Sequence, residues 1–160
     1  TKWSERVVSN FARDTKGSDR DQVKAIADGQ GDIAIVNSYY IGLLLSSLKD
    51  EEINDGNAES VFFPNQADKE RGAHINISGL ALTKNAPKRE HAIKLIEYLT
   101  SIEAQQTYVS NSYEYSVNPN VKPDEIVQAW GEFKKDPVDL NMLGIMRDEA
   151  IRIFDKTGWK

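Results

Sequence analysis

The sequence predicts an α/β fold, and three features carry the prediction. Residues 19–48 read as helix, glycine stop, buried strand and helix in immediate succession. A second strand followed by a helix is legible at 76–99. The 160 residues are 39% hydrophobic and 28% charged, the composition of a packed domain and not of a disordered tail. A chain of this length supports one core, or one core with a small appendage.

Residues 2–11 place Trp3, Val7 and Phe11 at i, i+4 and i+8, one face of an amphipathic helix, with a turn at 14–17. Asp19 stands three residues before Gln22, a capping-box spacing, and Val23, Ile26 and Ala27 form the buried stripe of a second helix that Gly29 and Gly31 stop. Residues 32–36 (Asp-Ile-Ala-Ile-Val) form a short branched apolar run and predict a buried strand, after which 41–48 predict an apolar helix. Residues 51–60 read as a polar loop, 61–63 as a short strand closed by Pro64, and 65–72 as a linker or crossover. Residues 76–83 predict a strand interrupted at Gly79. Asn85 and Pro87 announce a helix with Ala92, Leu95, Ile96 and Leu99 on one face, and Ser101 starts a shorter one through Val109. Pro123 at a first-turn position opens a helix with Ile126, Trp130 and Phe133 inward; Asp139 opens a last one, carrying Leu143, Met146, Ala150 and Phe154 to the Gly158 stop.

Charge and cysteine content exclude several functions. Against 25 Asp and Glu there are only 20 Lys and Arg, a net charge of −5, which argues against a nucleic-acid partner. Without cysteine there is no disulfide, zinc–thiolate site, iron–sulfur cluster or thiol nucleophile. No apolar run approaches the roughly 20 residues of a membrane span. The chain opens at Thr1 with no Met and no basic-then-apolar leader, which reads as a processing boundary.

The candidate site is the pair Tyr39 and Tyr40, placed where strand becomes helix. At a helix start, successive side chains lie about 100° apart and can converge on one ligand. The carboxyl end of a strand in an open α/β sheet is where ligands tend to bind, and the following helix's amides favour negative charge. A phenol of pKa about 10 ligates a metal only once deprotonated, which calls for a hard, highly charged ion such as ferric iron. On the residue pattern alone, packing tyrosines with hydroxyls in water remain the simpler reading.

Several other groups invite a chemical role and have a plainer one. His74 and His91 are separated by a strand and a turn, and His91 lies among Lys88, Arg89 and Glu90. Asp50, Glu51 and Glu52 imitate paired carboxylates but mark a helix end. Gly29-Gln-Gly31 precedes a strand, the wrong order for a dinucleotide loop, and no Gly-x-Ser-x-Gly element or Ser, His and Asp set points to nucleophilic catalysis. No catalytic residue is assigned. Trp130, Phe133 and Tyr108 fall at helical spacing and read as core, while Arg13 and Arg71 are cations that could offset phenolate charge.

The runs Phe11-Ala-Arg13, Gly17-Ser-Asp19 with Asp21-Gln22, Ala27-Asp-Gly-Gln-Gly-Asp32 and Asn37-Ser-Tyr-Tyr40 resemble the periplasmic ferric-iron-binding proteins of bacterial ABC importers. Phe63-Pro64-Asn-Gln66, Arg71-Gly72, His74 through Gly79, Asn85-Ala-Pro87, Leu99 through Gln105, Glu114-Tyr115 and Thr157-Gly-Trp159-Lys160 extend the resemblance in the same order over nearly the whole chain. The Asn-x-Tyr-Tyr element is its most specific part.

The resemblance implies a type II periplasmic-binding-protein clamshell, of which this chain is about the carboxyl-terminal half. It places residues 1–70 and 116–160 in the second lobe, and 71–115 in a crossover segment that adds a strand and helix to the first. It implies Fe3+ held by Tyr39 and Tyr40, with Asn37 holding a synergistic anion such as phosphate or carbonate where one is used. The implied partners are an ABC permease and the missing amino-terminal half of the same protein. The implied location is periplasmic, or extracytoplasmic with a lipid anchor. The competing reading is a solute-binding protein for an oxyanion, thiamine or a polyamine, its tyrosines lining the cleft; a hydrolase-like enzyme using cleft carboxylates has less support.

Overall fold

The computed structural model describes residues 1–57 and 60–159, so Ala58 and Glu59 of the expected polar loop and Lys160 of the terminal motif lie outside the described residues. The described residues form eight helices: α1 Lys2–Val8, α2 Asp19–Ala27, α3 Tyr39–Leu45, α4 Asp50–Asn57, α5 Arg89–Leu99, α6 Ile102–Ser112, α7 Glu125–Ala129 and α8 Asn141–Thr157.

The main core lies where α2 meets α3. Val23, Ile41 and Leu44 are buried together, and Val36, Leu45, Val61 and Trp130 pack against them. Burying three such side chains is worth about 2 kcal/mol each, which fixes α3 against α2. Residues 50–57 form a helix where a polar loop was expected, because the polar stretch is built for a helix start. Asp50, Glu51 and Glu52 fill the first turn of α4, where the helix dipole favours negative charge. Glu52 accepts from Ser47 Oγ at 2.6 Å and from Lys49 at 2.8 Å, and Glu51 pairs with Lys24 of α2. Buried Gly56 then lets α4 approach α3, since a Cβ there would already touch Leu45 at 3.0 Å.

Smaller boundaries also differ from expectation. The N-cap of α2 is Ser18, whose backbone N–H and hydroxyl both donate to Asp21 Oδ2, at 2.6 and 2.8 Å. That leaves Asp19 available for a longer-range bond. Pro123 falls before α7, which is capped by Asp124 accepting from Ile126 N at 3.0 Å. Because α7 ends at Ala129, Phe133 lies beyond it, stacked on Phe63 at 4.0 Å between ring centroids. The expected first helix stops at Val8, and Phe11 instead meets Trp159 edge-on at 5.4 Å. Trp159 also stacks with Trp3, and Ser4 bonds Thr157 at 2.6 Å, so the first and last helices are clasped together.

The segments expected to be strands, 32–36, 61–63 and 76–83, have no ladder among the described residues. The one bridge there is parallel, Ala73 to Lys135, with Ala73 N donating to Lys134 O and Asp136 N donating to Ala73 O, both at 2.8 Å. A strand exists by its hydrogen bonds to a neighbour, and these segments meet none. Several of their apolar side chains are correspondingly open, Ile33 at 68% and Ile35 at 77% exposed, while Val36 and Val61 turn to the core. The interiors of α5 and α8 behave alike: neither helix contains a buried residue, and Leu95 and Leu143 are exposed although both lie on predicted apolar faces.

The bridge is reinforced from both sides. The Gln66 amide accepts from Lys134 N at 2.6 Å and donates to Lys134 O at 3.2 Å, imitating a strand neighbour, while Arg71 pairs with buried Asp136 at 3.1 Å. Gly72 sits between them at φ +96, and a Cβ there would lie 2.5 Å from the Lys134 carbonyl oxygen. Gly72→Ala is expected to destabilise the full-length protein by about 2–4 kcal/mol, from left-handed backbone and backbone overlap together. Urea unfolding measures it; a loss below about 0.5 kcal/mol would contradict this account of the bridge.

Candidate functional site

The site is assembled at the junction between residues 32–37 and α3. Ile41 and Leu44 point into the core; Tyr40, four positions before Leu44, lies on that side of the helix, while Tyr39 lines an open groove. The ring centroids of Tyr39 and Tyr40 are 4.3 Å apart and their planes are tilted by 31°. Behind them, Gly42 is buried against Tyr113, the residue that ends α6 in the left-handed conformation at φ 57.

The Tyr39 phenol is pushed up to about 12, first by its hydrogen bond with the Tyr40 hydroxyl, then by burial and by the charges of its neighbours Tyr40, Asp19 and Glu114. Every one of these effects holds the proton on an uncharged phenol while no cation is present. A cation between the oxygens would reverse them, because it replaces the shared proton and is attracted by both nearby carboxylates.

Asn37 is engaged within the protein. Its backbone N–H donates to Asp19 Oδ2 at 2.7 Å and its side-chain Nδ2 to the same oxygen at 3.1 Å. Its Oδ1 accepts from Asn76 Nδ2 at 3.3 Å. Asp19, Asn37 and Asn76 therefore form one chain of bonds beside the tyrosines. Tyr40 N and Ile41 N donate back to Asn37 O and Ser38 O, at 3.1 and 3.0 Å, which closes the turn into α3.

Asp19, Asn37, Tyr39, Asn76 and Glu114 line one open groove of about 1940 Å³. Arg71 and His74 line it too. Tyr115 also faces it and has a buried hydroxyl without a hydrogen-bond partner; burial pushes that phenol up. Arg13 is elsewhere, donating to Gln22 Oε1 at 2.7 Å and to Asp21 O at 3.3 Å, which ties the loop before α2. His91 is exposed on α5, and Asp50, Glu51 and Glu52 serve the start of α4. Tyr108 is exposed and donates to Glu114 at 3.0 Å; Trp130 packs on the main core. Among the described residues no group of three or more His, Asp and Glu is placed to hold a metal ion.

Sequence reasoning missed Asp19, Asn76 and Glu114 as members of the site. Asp19 was legible only as a helix-start acid, and nothing in its spacing from Asn37 announces a bond across 18 positions. Asn76 read as a strand residue. For Glu114 the only signal is its place in the Glu114-Tyr115 motif.

The family model for bacterial extracellular solute-binding proteins matches residues 4–135. The chain is 40% identical to iron uptake protein A2 of Synechocystis over 159 residues, 99% of this chain and 46% of that protein. Apo FutA2 from Synechocystis superposes with a TM-score of 0.93 at 40% identity, covering 99% of this chain and 50% of that one. A Trichodesmium relative, solved with iron and citrate ligands, superposes at 0.94 and 42% identity, over 99% of this chain and 49% of that one. The fold is thus about half of a type II periplasmic-binding-protein clamshell, and the chain spans about half the length of the relatives it matches.

Gly42→Ala would place a Cβ 2.4 Å from Tyr113 Cβ, an atom too near its backbone to swing aside. The expected result is a loss of about 1–3 kcal/mol and an altered near-ultraviolet circular dichroism from displaced tyrosines. Unchanged melting and spectrum would contradict the packing of α3 on Tyr113.

Proposed function

Because the chain belongs to the bacterial extracellular solute-binding proteins, we propose that it is part of a carrier that captures ferric iron outside the cytoplasmic membrane and presents it to an ABC permease. It catalyses no reaction in this reading. The observation that carries the proposal is the close pair Tyr39 and Tyr40, two adjacent phenols with ring centroids 4.3 Å apart at the edge of the groove that Tyr39 lines. The iron uptake and ferric-binding relatives support the choice of ion.

In this reading Tyr39 and Tyr40 lose their protons and ligate one Fe3+ as phenolates. Oxygen donors suit a hard trivalent ion, and its charge supplies what a phenol needs to ionise near neutrality. The remaining donors come from the amino-terminal half. Residues 1–70 and 116–160 form the second lobe and 71–115 cross into the first, with the Ala73–Lys135 bridge at the seam. Closure is driven by the ion's greater affinity for the closed form. The carrier is periplasmic, free or lipid-anchored. Neither phosphate nor carbonate is given a place at Asn37, whose donors Asp19 engages.

Two measurements test the proposal on the full-length protein. Ferric titration is expected to produce visible tyrosinate charge-transfer absorption, and changing Tyr39 and Tyr40 together to Phe is expected to abolish it without altering the melting curve. A colourless wild-type titration, or a band that survives the double change, would overturn ligation by these residues. The second measurement uses the protons displaced. A phenol ligates only by giving up its proton, so affinity at a fixed free-ferric level falls as pH falls. The expected drop between about pH 7 and about pH 6 approaches a hundredfold, tenfold for each of two protons. Competition against a chelator measures it; an affinity independent of pH would contradict phenolate ligation.

A further inference from the structure

We propose that Tyr113 is a positioning residue for the tyrosine pair: seated on Gly42, it fixes the start of α3 so that Tyr39 is presented in the geometry that ligates the ion. The inference rests on Tyr39 and Tyr40 being the ligands and adds a residue outside α3 that acts through it. Two residues here are each the wrong choice for their local structure. Gly42 lies in the middle of α3, where alanine favours the helix and glycine costs it. Tyr113 ends α6 at φ 57, the left-handed conformation in which glycine is the ordinary residue and a bulky side chain is strained. Among the described residues the non-glycine positions with positive φ are Asn65 and Tyr113, and asparagine tolerates that backbone. The two misfits answer each other. Tyr113 approaches Gly42 so closely that a Cβ there would lie 2.4 Å from Tyr113 Cβ, 2.5 Å from its Cγ and 3.0 Å from its Cδ1. Local penalties that persist as a matched pair mark a contact the surrounding structure demands, and such strain gathers at binding sites.

The contact bears on the candidate donors. Gly42 is three residues beyond Tyr39, a neighbour on the same face of the helix. Tyr113 is held from its own side, its N–H donating at 3.2 Å to the carbonyl of buried Val109. Just beyond it, Glu114 accepts from Tyr108 at 3.0 Å and Tyr115 meets Phe133 edge-on at 5.5 Å, both residues lining the groove that Tyr39 lines. The corner is tied to α5 and α6 as one unit, since Gln105 Nε2 donates to Leu99 O at 2.7 Å and its Oε1 accepts from Ser116 Oγ at 2.8 Å. In the lobe assignment proposed above, residues 71–115 cross into the first lobe. Tyr113 therefore transmits the position of that segment to the helix that begins with Tyr39.

The test compares three full-length proteins by ferric titration and chelator competition. Tyr113→Phe keeps every atom that faces Gly42 and is expected to match the wild type in affinity and in its visible tyrosinate band. Tyr113→Gly takes the left-handed backbone without strain but removes the ring. It is expected to melt cooperatively, to bind ferric iron about tenfold more weakly, as for the loss of an outer residue that orients a metal ligand, and to shift the band. A Tyr113→Gly protein with wild-type affinity and an unmoved band would overturn the proposal, as would a Tyr113→Phe protein as weak as the glycine variant. Should Tyr113→Gly fail to melt cooperatively, Tyr113→Asn, which also accepts the left-handed backbone, takes its place with the same expectation. If neither folds, Tyr113 serves the fold alone and the proposal is overturned. A wild type that stays colourless would overturn tyrosine ligation itself, and this inference with it.

Discussion

The structure turns on the way α3 is anchored. Ile41 and Leu44 are locked against Val23, and that contact fixes where α3 lies on α2. Tyr39 and Tyr40 begin the helix so anchored, with ring centroids 4.3 Å apart at a tilt of 31°. Gly42 allows the approach of Tyr113 from behind, so the helix is held on two sides. The same α2 that packs on α3 carries Asp19 at its start, and Asp19 closes on Asn37. Hydrophobic packing thereby places the helix that carries the two phenols, and the carboxylates of Asp19 and Glu114 set the charge beside Tyr39.

A second constraint is the demand for partners left unmet. Residues 32–36 and 76–83 form no ladder among the described residues and leave several apolar side chains exposed, and α5 and α8 each bury no residue. Ile33, Ile35, Ile77 and Leu80 facing water together would cost several kcal/mol in any isolated domain. The relatives this chain matches are about twice as long. The groove at Tyr39 is bounded by these same segments, so the completeness of the sheet and the completeness of the site are one question.

The helices were legible where a periodic apolar stripe met a cap or a glycine stop, as at α2, α5 and α8. The polar α4 was not, since its stabilisation comes from first-turn acids and from lysines elsewhere, and an Asn-Asp-Gly stretch resembles a loop. The extended segments were correctly read as apolar and branched, but pairing belongs to neighbours that local sequence does not contain. At the site, the adjacency of Tyr39 and Tyr40 was visible because it is local. The bond from Asn37 to Asp19 joins a turn to a helix start 18 positions away and depends on Ser18 taking over the cap. A competition between two neighbouring capping residues decided it, and the sequence spacing favoured the wrong one.

Resonance Raman spectroscopy of the iron-loaded, full-length protein, excited in its visible band, tests the central claim most directly. Enhanced ring modes of iron-bound tyrosinate that disappear in two steps, as Tyr39 and then Tyr40 is changed to Phe, are the result this account predicts. A loaded protein whose spectrum carries no tyrosinate modes, with iron held through carboxylate or imidazole alone, would contradict it.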